Sequence, residues 1–326
     1  MKSRKLGVML VNLGTPEEPT PKAVRKFLKE FLSDKRVVDL PRIIWLPVLY
    51  GIILTFRPKK VAENYQAIWT EEGSPLLNFS KQQQKQLQLS LDSSLTDYES
   101  KVCIAMTYGN PSIKDKVDEL NQWGADKIIV LPLYPQYSTT TTAPIEDQLT
   151  KFTDFFDKSD NIFIDKYHVD SDYIDALANS IKDSKVDINA IDKLVISFHG
   201  IPKRYVVSKG DPYQQQCEET AQALAKKLKL ADEQWLLAYQ SRLGKEEWLT
   251  PYLDKTIEAL PSQEVKNIAV ICPGFSVDCL ETLEEVAMQN KELFLSNGGE
   301  QFQYIPALNS SSNHIQMMKN IVLRSL

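Results

Sequence analysis

The stretch Lys193-Leu-Val-Ile-Ser-Phe-His-Gly-Ile-Pro202 decides the fold. Its first half is a continuous apolar run, as expected for a strand buried on both faces of a parallel sheet. The run ends at His199, and Gly200 begins a tight exit that leaves the imidazole uncovered. Because open parallel sheets bind ligands beyond the carboxyl ends of their strands, His199 stands where a ligand would bind.

Similar apolar runs recur along the chain and are separated by amphipathic stretches. The further strands are predicted near residues 6–12, 101–106, 127–133, 162–166, 235–240, 267–272 and 302–306. The helices are predicted near residues 21–32, 59–69, 78–91, 112–124, 144–156, 171–184, 212–229, 250–260, 279–295 and 312–324. This alternation predicts an α/β fold. With 326 residues and four strands in each half, it predicts two Rossmann-like, doubly wound parallel-sheet domains that face each other across a cleft.

The domain boundary is expected where the two groups of strands separate. We assign residues 1–170 to the first domain and residues 171–326 to the second, with the C-terminal helix packing back on the first. The polar segment 182–189 is a candidate for the linker region.

Composition restricts the class of protein. The net charge of -5 makes nucleic acid an unexpected partner, since proteins that bind it usually carry basic surfaces. The cysteines lie at positions 103, 217, 272 and 279 and form no C-x-x-C pair, so reduced thiols in the cytoplasm are expected. No small-residue cleavage site follows the first apolar run, and therefore no signal peptide is expected.

The segment 43–56 is almost wholly apolar, and basic residues follow it at positions 57, 59 and 60. Fourteen residues with an internal proline and glycine cannot span a bilayer, which needs about 20. Two interpretations stay open. The segment is either a buried hairpin or helix edge, or an exposed apolar lip that contacts a membrane or an apolar substrate.

Each of the three histidines can be considered separately. His168 lies just past a predicted strand and is interpreted as a surface residue, and His314 in the last helix is interpreted as structural. His199 is the candidate reacting group, because an imidazole with a near-neutral pKa can remove a proton or bind a metal. The alternative is a histidine bonded to the neighbouring backbone.

A second cluster of polar side chains follows the strand that ends near Cys272. Asp278, Glu281 and Glu285 lie where the next helix begins, and the two glutamates are four residues apart on one helix face. Asp278 and Glu281 also have the spacing of a capping box, in which acidic side chains stabilise the first turn. Both roles are compatible, since this junction would also point toward the ligand-binding edge.

Nucleotide cofactors are disfavoured. Asn12-Leu-Gly-Thr-Pro16 follows the first strand without the glycines of a dinucleotide-binding loop, and the chain has no G-x-x-x-x-G-K-[ST] motif. The segments 131–141 and 239–249 instead supply aromatic rings, hydroxyls and a cation after two strands. Such residues could hold a large, flat, apolar ligand that carries carboxylates, or they could be ordinary core and turn residues.

Taken together, these motifs resemble those of the ferrochelatase family, particularly its bacterial members. The matching segments are Gly7-Val-Met-Leu-Val-Asn-Leu-Gly-Thr-Pro16, Gly73-Ser-Pro75, Leu133-Tyr-Pro-Gln-Tyr-Ser138, Ser197-Phe-His-Gly-Ile-Pro202, Gly210-Asp-Pro-Tyr213, Tyr239-Gln-Ser-Arg-Leu-Gly244 with Trp248, and Asp278-Cys-Leu-Glu-Thr-Leu283. They follow the family order over nearly the whole chain, which makes the set specific although each motif is weak alone.

The resemblance implies a lyase that inserts ferrous iron into protoporphyrin IX, the last step of haem biosynthesis. His199 and Glu281 match the catalytic histidine and its partner carboxylate, which handle pyrrole protons or the incoming metal. Asp278 and Glu285 would form an auxiliary acidic path. The positions that resemble porphyrin-binding residues are Leu13, Arg57, Ser74, Tyr108, Tyr134 and Trp248.

The chain departs from many relatives at Cys279, where they place a histidine. No cysteine follows position 279, so no iron–sulfur cluster and no resident cofactor are expected, and ferrous iron is a substrate. We expect a monomer in the cytoplasm that contacts the membrane loosely through segment 43–56. The alternatives are a chelatase for another tetrapyrrole or metal, such as coproporphyrin or cobalt, and a non-catalytic protein that binds haem or metal.

Overall fold

The computed structural model describes residues 4–151 and 160–326. The chain divides into two compact units. Unit 1 consists of Met1–Lys166 together with Ile315–Leu326, and unit 2 consists of Tyr167–His314. The chain therefore passes from unit 1 to unit 2 and back again.

Within the described residues, unit 1 contains a four-stranded parallel sheet with the order β2-β1-β3-β4. The strands are β1 (Arg4–Asn12), β2 (Tyr98–Met106), β3 (Lys127–Pro132) and β4 (Ile162–Phe163). The helices are α1 (Pro21–Leu32), α2 (Arg42–Val48), α3 (Leu54–Ile68), α4 (Pro75–Asp92), α5 (Ile113–Trp123) and α6 (Thr142–Leu149), and a short π-helical turn, Leu49–Ile53, joins α2 to α3.

The core of unit 1 forms because β1 and β3 are apolar along their length and lie inside the sheet. Met9 and Val130 belong to a buried cluster that also contains residues of β2, α5 and α6. Helix α5 is well delimited: the Ser112 hydroxyl accepts a hydrogen bond from the Asp115 amide at 3.1 Å, and Gly124 ends the helix with a left-handed φ of 84°.

The outer strand β2 is covered by glutamine side chains from α4. The Gln88 carbonyl oxygen accepts from the Val102 amide at 2.6 Å, and its NH2 group donates to the Ser100 carbonyl oxygen at 3.0 Å. Gln84 donates to the Val102 carbonyl oxygen at 3.0 Å. Backbone groups that would otherwise be free at a sheet edge are thereby paired.

The apolar segment 43–56 is helical, because it forms α2, the π-helical turn and the start of α3. Leu49 and Leu54 are buried against α1 residues, whereas Ile43 is 85% and Phe56 is 72% exposed. Both interpretations of this segment are therefore partly right: it packs on one side and presents apolar side chains to solvent on the other.

Unit 2 contains a second four-stranded parallel sheet among its described residues, with the order β6-β5-β7-β8. Its strands are β5 (Lys193–His199), β6 (Trp235–Gln240), β7 (Asn267–Ile271) and β8 (Gln301–Ile305). Its helices are α7 (Ser171–Asp183), α8 (Lys203–Lys209), α9 (Tyr213–Leu228), α10 (Leu253–Ala259), a π-helix (Glu281–Asn290) and α11 (Lys291–Ser296), and α12 (Ser312–Arg324) begins there and continues into unit 1.

The predicted α/β fold with two four-stranded parallel sheets is confirmed, and all eight predicted strands are present. The polar segment 182–189 is not a linker, because it lies inside unit 2, where it comprises the last two residues of α7 and the start of the loop before β5. The predicted helix at 144–156 ends as α6 at Leu149, and its last part, 152–156, lies outside the described residues. Helix α8 is an element that the sequence patterns did not predict.

Candidate active site

His199 is the last residue of β5 and is half-buried in unit 2. Its ring nitrogen Nδ1 lies 2.6 Å from the Gly200 carbonyl oxygen. Because a carbonyl oxygen can only accept, Nδ1 must carry the proton, and Nε2 of the neutral ring keeps its lone pair. A nitrogen in this state can accept a proton or bind a metal ion. The backbone-bonded interpretation of His199 is therefore confirmed. It is compatible with a reactive Nε2, and the reactive role of His199 stays a prediction.

Two aromatic rings flank the imidazole. The ring centroids of Trp248 and Phe275 each lie 6.4 Å from that of His199. The approach of Trp248 depends on Gly200, since a Cβ atom there would lie 3.2 Å from Cε3 of Trp248 and 2.9 Å from the Gln240 carbonyl oxygen. The glycine after the histidine thus allows the indole ring and strand β6 to come close to the site.

The carboxylates come from a π-helix rather than an α-helix. This helix begins at Glu281, and its wider i→i+5 turn holds more than four residues, so that Glu281 and Glu285 lie nearly above each other. The prediction that they share one face is consistent with this geometry. π-Helical turns are frequent at functional sites because side chains can be redirected there.

Glu285 is held by the residue that follows β6. Its carboxylate accepts from the Ser241 amide at 2.7 Å and from the Ser241 hydroxyl at 2.5 Å. Ser241 has a left-handed φ of 66°, which is uncommon for a residue with a side chain. Burial raises the pKa of Glu285, with a further contribution from the Glu281 charge, while the Ser241 hydrogen bonds and His199, when it is protonated, oppose the rise. The pKa of Glu285 therefore responds to both His199 and Glu281.

Asp278 is buried. Its carboxylate accepts four hydrogen bonds, and none of them is the backbone bond of a capping box. Its carboxylate accepts from the Tyr304 hydroxyl at 2.5 Å and from the Thr282 hydroxyl at 3.0 Å. The Asn309 amide group donates to it at 2.7 Å, and the Ala307 backbone at 3.3 Å. Asp278 therefore ties the start of the π-helix to the chain after β8. Its part in an acidic path stays a prediction.

Cys279 is buried beside Glu281. Its backbone amide donates to the Thr282 hydroxyl at 3.0 Å. Burial and, after it, the neighbouring Glu281 charge raise the pKa of the Cys279 thiol well above its usual range. Within residues 4–151 and 160–326, no three His, Cys, Asp or Glu side chains are grouped as a metal site. The metal roles of His199 and Glu281 stay predictions.

Three of the predicted substrate-binding residues are neighbours in unit 1. The Leu13 carbonyl oxygen, after β1, accepts from the Tyr108 amide at 2.9 Å. Ser74 is buried before α4 and shares a 2.8 Å hydrogen bond with the Thr15 hydroxyl. The Tyr108 hydroxyl donates to Asp34 at 2.9 Å, and burial, followed by the Asp34 charge, raises the pKa of Tyr108 far above its usual range. Tyr108 is thus fixed as a neutral side chain.

Arg57 and Tyr134 are the other two unit 1 residues that were predicted to bind substrate. Tyr134 lies after β3 and packs on the core cluster of unit 1. Arg57 is half-buried in α3, and burial lowers the pKa of its guanidinium. It pairs with no carboxylate among the residues that the structure describes. A half-buried cation of this kind is suited to an anionic ligand.

The two remaining histidines are structural. His168 is buried, contrary to its interpretation as a surface residue, because α9 covers it: its Nε2 lies 2.7 Å from a Glu219 oxygen, and its carbonyl oxygen accepts from Thr220 at 2.9 Å. His314 is also buried, and its Nδ1 donates to the Asn309 carbonyl oxygen at 2.7 Å.

The sequence analysis did not single out three residues of this site: Phe275, Gln240 and Ser241. All three lie just before or after the end of a strand, where the fold predicts ligand-binding residues. Their residue types gave no chemical signal, since a phenylalanine, a glutamine and a serine are common in cores and turns.

A histidine with an available nitrogen, together with half-buried carboxylates, can handle protons and metal ions. In a parallel α/β framework without a nucleotide loop, this combination is that of the metal chelatases. Comparison with known proteins narrows the class. The model of the Ferrochelatase family matches residues 5–326, and the chain belongs to the ferrochelatase family.

Curated relatives agree with this assignment along their whole length. The chain is 51% identical to a ferrochelatase of Haemophilus influenzae (strain 86-028NP), with 100% of this chain and 99% of that protein covered. It is 50% identical to the ferrochelatase of Yersinia enterocolitica serotype O:8 / biotype 1B, with 99% and 98% covered.

The solved structures that resemble this chain share its fold at low sequence identity. SirB from Bacillus subtilis with Fe3+ superposes with a TM-score of 0.57 at 10% identity, covering 98% of this chain and 95% of that one. DR2241 from Deinococcus radiodurans, a multi-domain protein with structural similarity to chelatases, also gives 0.57 at 10% identity, with 99% and 55% covered. These similarities show the fold alone.

Proposed function

We propose that this chain inserts ferrous iron into protoporphyrin IX and so forms protohaem. The observation that carries the proposal is the hydrogen bond of His199, whose Nδ1 is committed to the Gly200 carbonyl oxygen, which leaves Nε2 as the nitrogen that can react, while His199 and Glu281 both act electrostatically on Glu285. Iron insertion requires two pyrrole protons to leave the porphyrin. A neutral imidazole next to acidic side chains supplies both an acceptor for a proton and oxygen ligands for a divalent metal.

Residues of each unit, taken separately, suit a flat, anionic substrate. Trp248 and Phe275 provide aromatic surface next to the imidazole, and aromatic rings bind large apolar ligands through their faces and edges. In unit 1, Arg57 is a half-buried guanidinium suited to a propionate group of the porphyrin. The raised pKa of Glu285 suits a carboxyl group that receives a proton and passes it to solvent.

The direct test is an anaerobic assay with the purified protein, protoporphyrin IX and ferrous iron, followed by the change in Soret absorbance. We expect His199→Ala and Glu281→Gln each to lower kcat by about a hundredfold or more, the range of general acid–base catalysis. Glu284→Gln is the matched control, since Glu284 lies on the same π-helix and is bonded to the exposed Gln289. It should keep the activity of the unchanged protein.

The outcomes of this assay separate the alternatives. Failure to form metalloporphyrin above the uncatalysed rate would reject the proposal. Turnover only with coproporphyrin, or only with cobalt, would assign the chain to a different chelatase reaction. Binding of finished haem without turnover would indicate a carrier protein.

We propose further that unit 1 contacts a membrane through an apolar patch formed by Ile43, Ile44, Tyr50, Ile52 and Phe56. These side chains are all exposed, and the exposed Lys59 and Lys60 follow them in α3. Apolar side chains next to basic residues favour the surface of an anionic bilayer. Among the described residues, no helix is long and apolar enough to cross a membrane, so the proposed contact is peripheral.

Vesicle co-sedimentation tests this contact. We expect the protein to bind vesicles that contain phosphatidylglycerol more tightly than neutral vesicles, and Ile43→Ser with Phe56→Ser to weaken binding about tenfold, because two large apolar side chains no longer enter the interface. Val207→Ser is the control, since Val207 is 73% exposed but belongs to unit 2. Equal weakening by the control variant, or no binding at all, would contradict the proposal.

A further inference from the structure

Gln240 ends strand β6 and is buried, with 2% of its surface exposed. In the sheet it lies directly beside His199, its partner in the parallel register of β5 and β6. Its carbonyl oxygen accepts from the Gly200 amide at 2.8 Å, so its backbone fixes the chain at the point where it leaves His199. A buried glutamine is uncommon, and it requires partners for both ends of its side chain amide.

The partners of the side chain define which way the amide points. Its oxygen accepts from the Ser197 hydroxyl at 2.8 Å and lies 3.5 Å from the Cys272 sulfur, and its NH2 group donates to the Glu281 carbonyl oxygen at 2.8 Å. In the flipped orientation, the amide oxygen would face the Glu281 carbonyl oxygen, and neither atom could donate. The hydrogen-bond network therefore permits one orientation only.

One side chain thus connects β5, the end of β7 and the first residue of the π-helix. We propose that Gln240 is a positioning residue that holds Glu281 at its working distance from His199. The inference rests on the proposed function, because Glu281 is the carboxylate that acts with His199 there. The Gln240 backbone binds Gly200, the residue after His199, and the Gln240 side chain binds the backbone of Glu281. One residue therefore fixes the positions of both His199 and Glu281.

Ser241, the residue after Gln240, contacts the π-helix one turn further along, at Glu285. Ser241 holds the Glu285 carboxylate with both its amide and its hydroxyl. The dipeptide Gln240-Ser241 therefore contacts the π-helix at two successive turns, through the backbone of the first glutamate and the side chain of the second. A wide helical turn is less favourable than an α-helical turn, and such contacts stabilise it from outside.

The chemistry of the contact requires a neutral amide. In Gln240→Glu, a carboxylate oxygen would face the Glu281 carbonyl oxygen, and the buried site would gain a negative charge next to Glu281 and Glu285. Gln240→Met has a similar shape and no charge, so it removes the donor while filling the same space.

The test compares Gln240→Met with Gln303→Met in the ferrochelatase assay. Gln303 is a matched control because it lies in the same sheet and its buried side chain oxygen has no hydrogen-bond partner among the described residues. We expect Gln240→Met to lower kcat about tenfold to a hundredfold, as a small displacement of a catalytic group does, with less than a threefold change in KM for porphyrin. Gln303→Met should leave both constants unchanged.

Repeating the substitution in the Glu281→Gln variant distinguishes a positioning role from a general loss of structure. Because Gln240 is proposed to act through Glu281, Gln240→Met should lower kcat by less than about threefold when Glu281→Gln is already present. An equal fold loss in both backgrounds would overturn the proposal, as would a loss confined to KM or full activity of the single variant. If the unchanged protein is inactive, the proposed function fails instead.

Ser197→Ala keeps the proposal testable should Gln240→Met not fold. This variant removes only the hydroxyl that orients the amide oxygen, and it should lower kcat severalfold in the unchanged background and by less than about twofold in Glu281→Gln. The same loss in both backgrounds would again contradict a role through Glu281.

Discussion

At the scale of single residues, the three histidines differ in what each ring nitrogen contacts. His199 donates from Nδ1 to the backbone and keeps Nε2 free, His168 is bonded to Glu219, and His314 is enclosed with a backbone acceptor. The three imidazoles therefore differ: one keeps an open nitrogen, one is hydrogen-bonded to a carboxylate, and one is enclosed. The contacts, and not the residue type, decide between these roles.

His314 makes the stability of the protein sensitive to acid. Burial lowers the pKa of His314 to about 4, against about 6.5 in an unfolded chain. The unfolded state then binds a proton first, so the contribution of His314 to stability is complete above about pH 6.5 and is lost as pH falls toward 4. From pH 7 to pH 5 we expect a loss of ~2 kcal/mol in the free energy of unfolding from this group.

The measurement is the urea midpoint at the two pH values for the unchanged protein and for His314→Gln. The variant should show a weaker dependence on pH, because its side chain does not titrate. Gln316→Ser serves as the control, since Gln316 is exposed in the same helix. An unaltered pH dependence in His314→Gln would show that other groups govern the acid response.

The role of a single residue can be predicted from the sequence when it depends on local structure, and not when it depends on contacts with distant segments. His199 was predicted because a strand end exposes any side chain it carries. His168 was misjudged, because its burial depends on α9, which begins 45 residues later in the chain. Gln240 was not found because its role follows from three partners in different elements. Contacts between distant segments leave no local pattern in a sequence.

At the scale of elements, the glutamines of α4 show how an outer strand is protected. Gln88 satisfies the amide of Val102 and the carbonyl oxygen of Ser100, which are backbone groups of β2 on the side away from β1. A strand edge left unpaired offers hydrogen bonds to other chains. Here the neighbouring helix occupies those positions with its own side chains.

Replacing Gln88 should destabilise unit 1. We expect Gln88→Leu to lower the free energy of unfolding by about 1–3 kcal/mol, because the Val102 amide loses its acceptor in a partly buried place. Urea denaturation followed by circular dichroism measures this change. Gln86→Leu, on the exposed face of the same helix, is the control and should change stability by less than about 0.5 kcal/mol. Equal effects of the two substitutions would refute a role in covering the strand.

Elements that are long and have a regular apolar pattern could be predicted from the sequence, and short elements without such a pattern could not. The strands were found because buried parallel strands are apolar throughout. Helix α8 was missed, because seven residues with Tyr205 as the only buried member show no periodicity. The π-helix could not be distinguished from an α-helix, since the two have similar apolar spacing. Its contacts with Gln240 and Ser241 come from a distant segment of the chain.

At the scale of the whole molecule, the comparisons cover the chain from residue 5 to residue 326, so both units belong to one family framework. The sequence predicted two sheets because each half carries its own set of apolar runs. It did not predict which polar segment joins the units, since a surface loop such as 182–189 has the same composition as a linker.

The path of the chain through the two units has a consequence for synthesis. Unit 2 is continuous from Tyr167 to His314, whereas unit 1 needs Ile315–Leu326, and the Lys127 ammonium group in β3 donates to the Ser325 carbonyl oxygen at 2.9 Å. As a chain leaves the ribosome, its earlier parts ordinarily fold first. Here the unit that starts later has emerged in full before the one that starts first. Unit 1 can therefore complete its contacts, including that between Lys127 and Ser325, only after unit 2 has been synthesised.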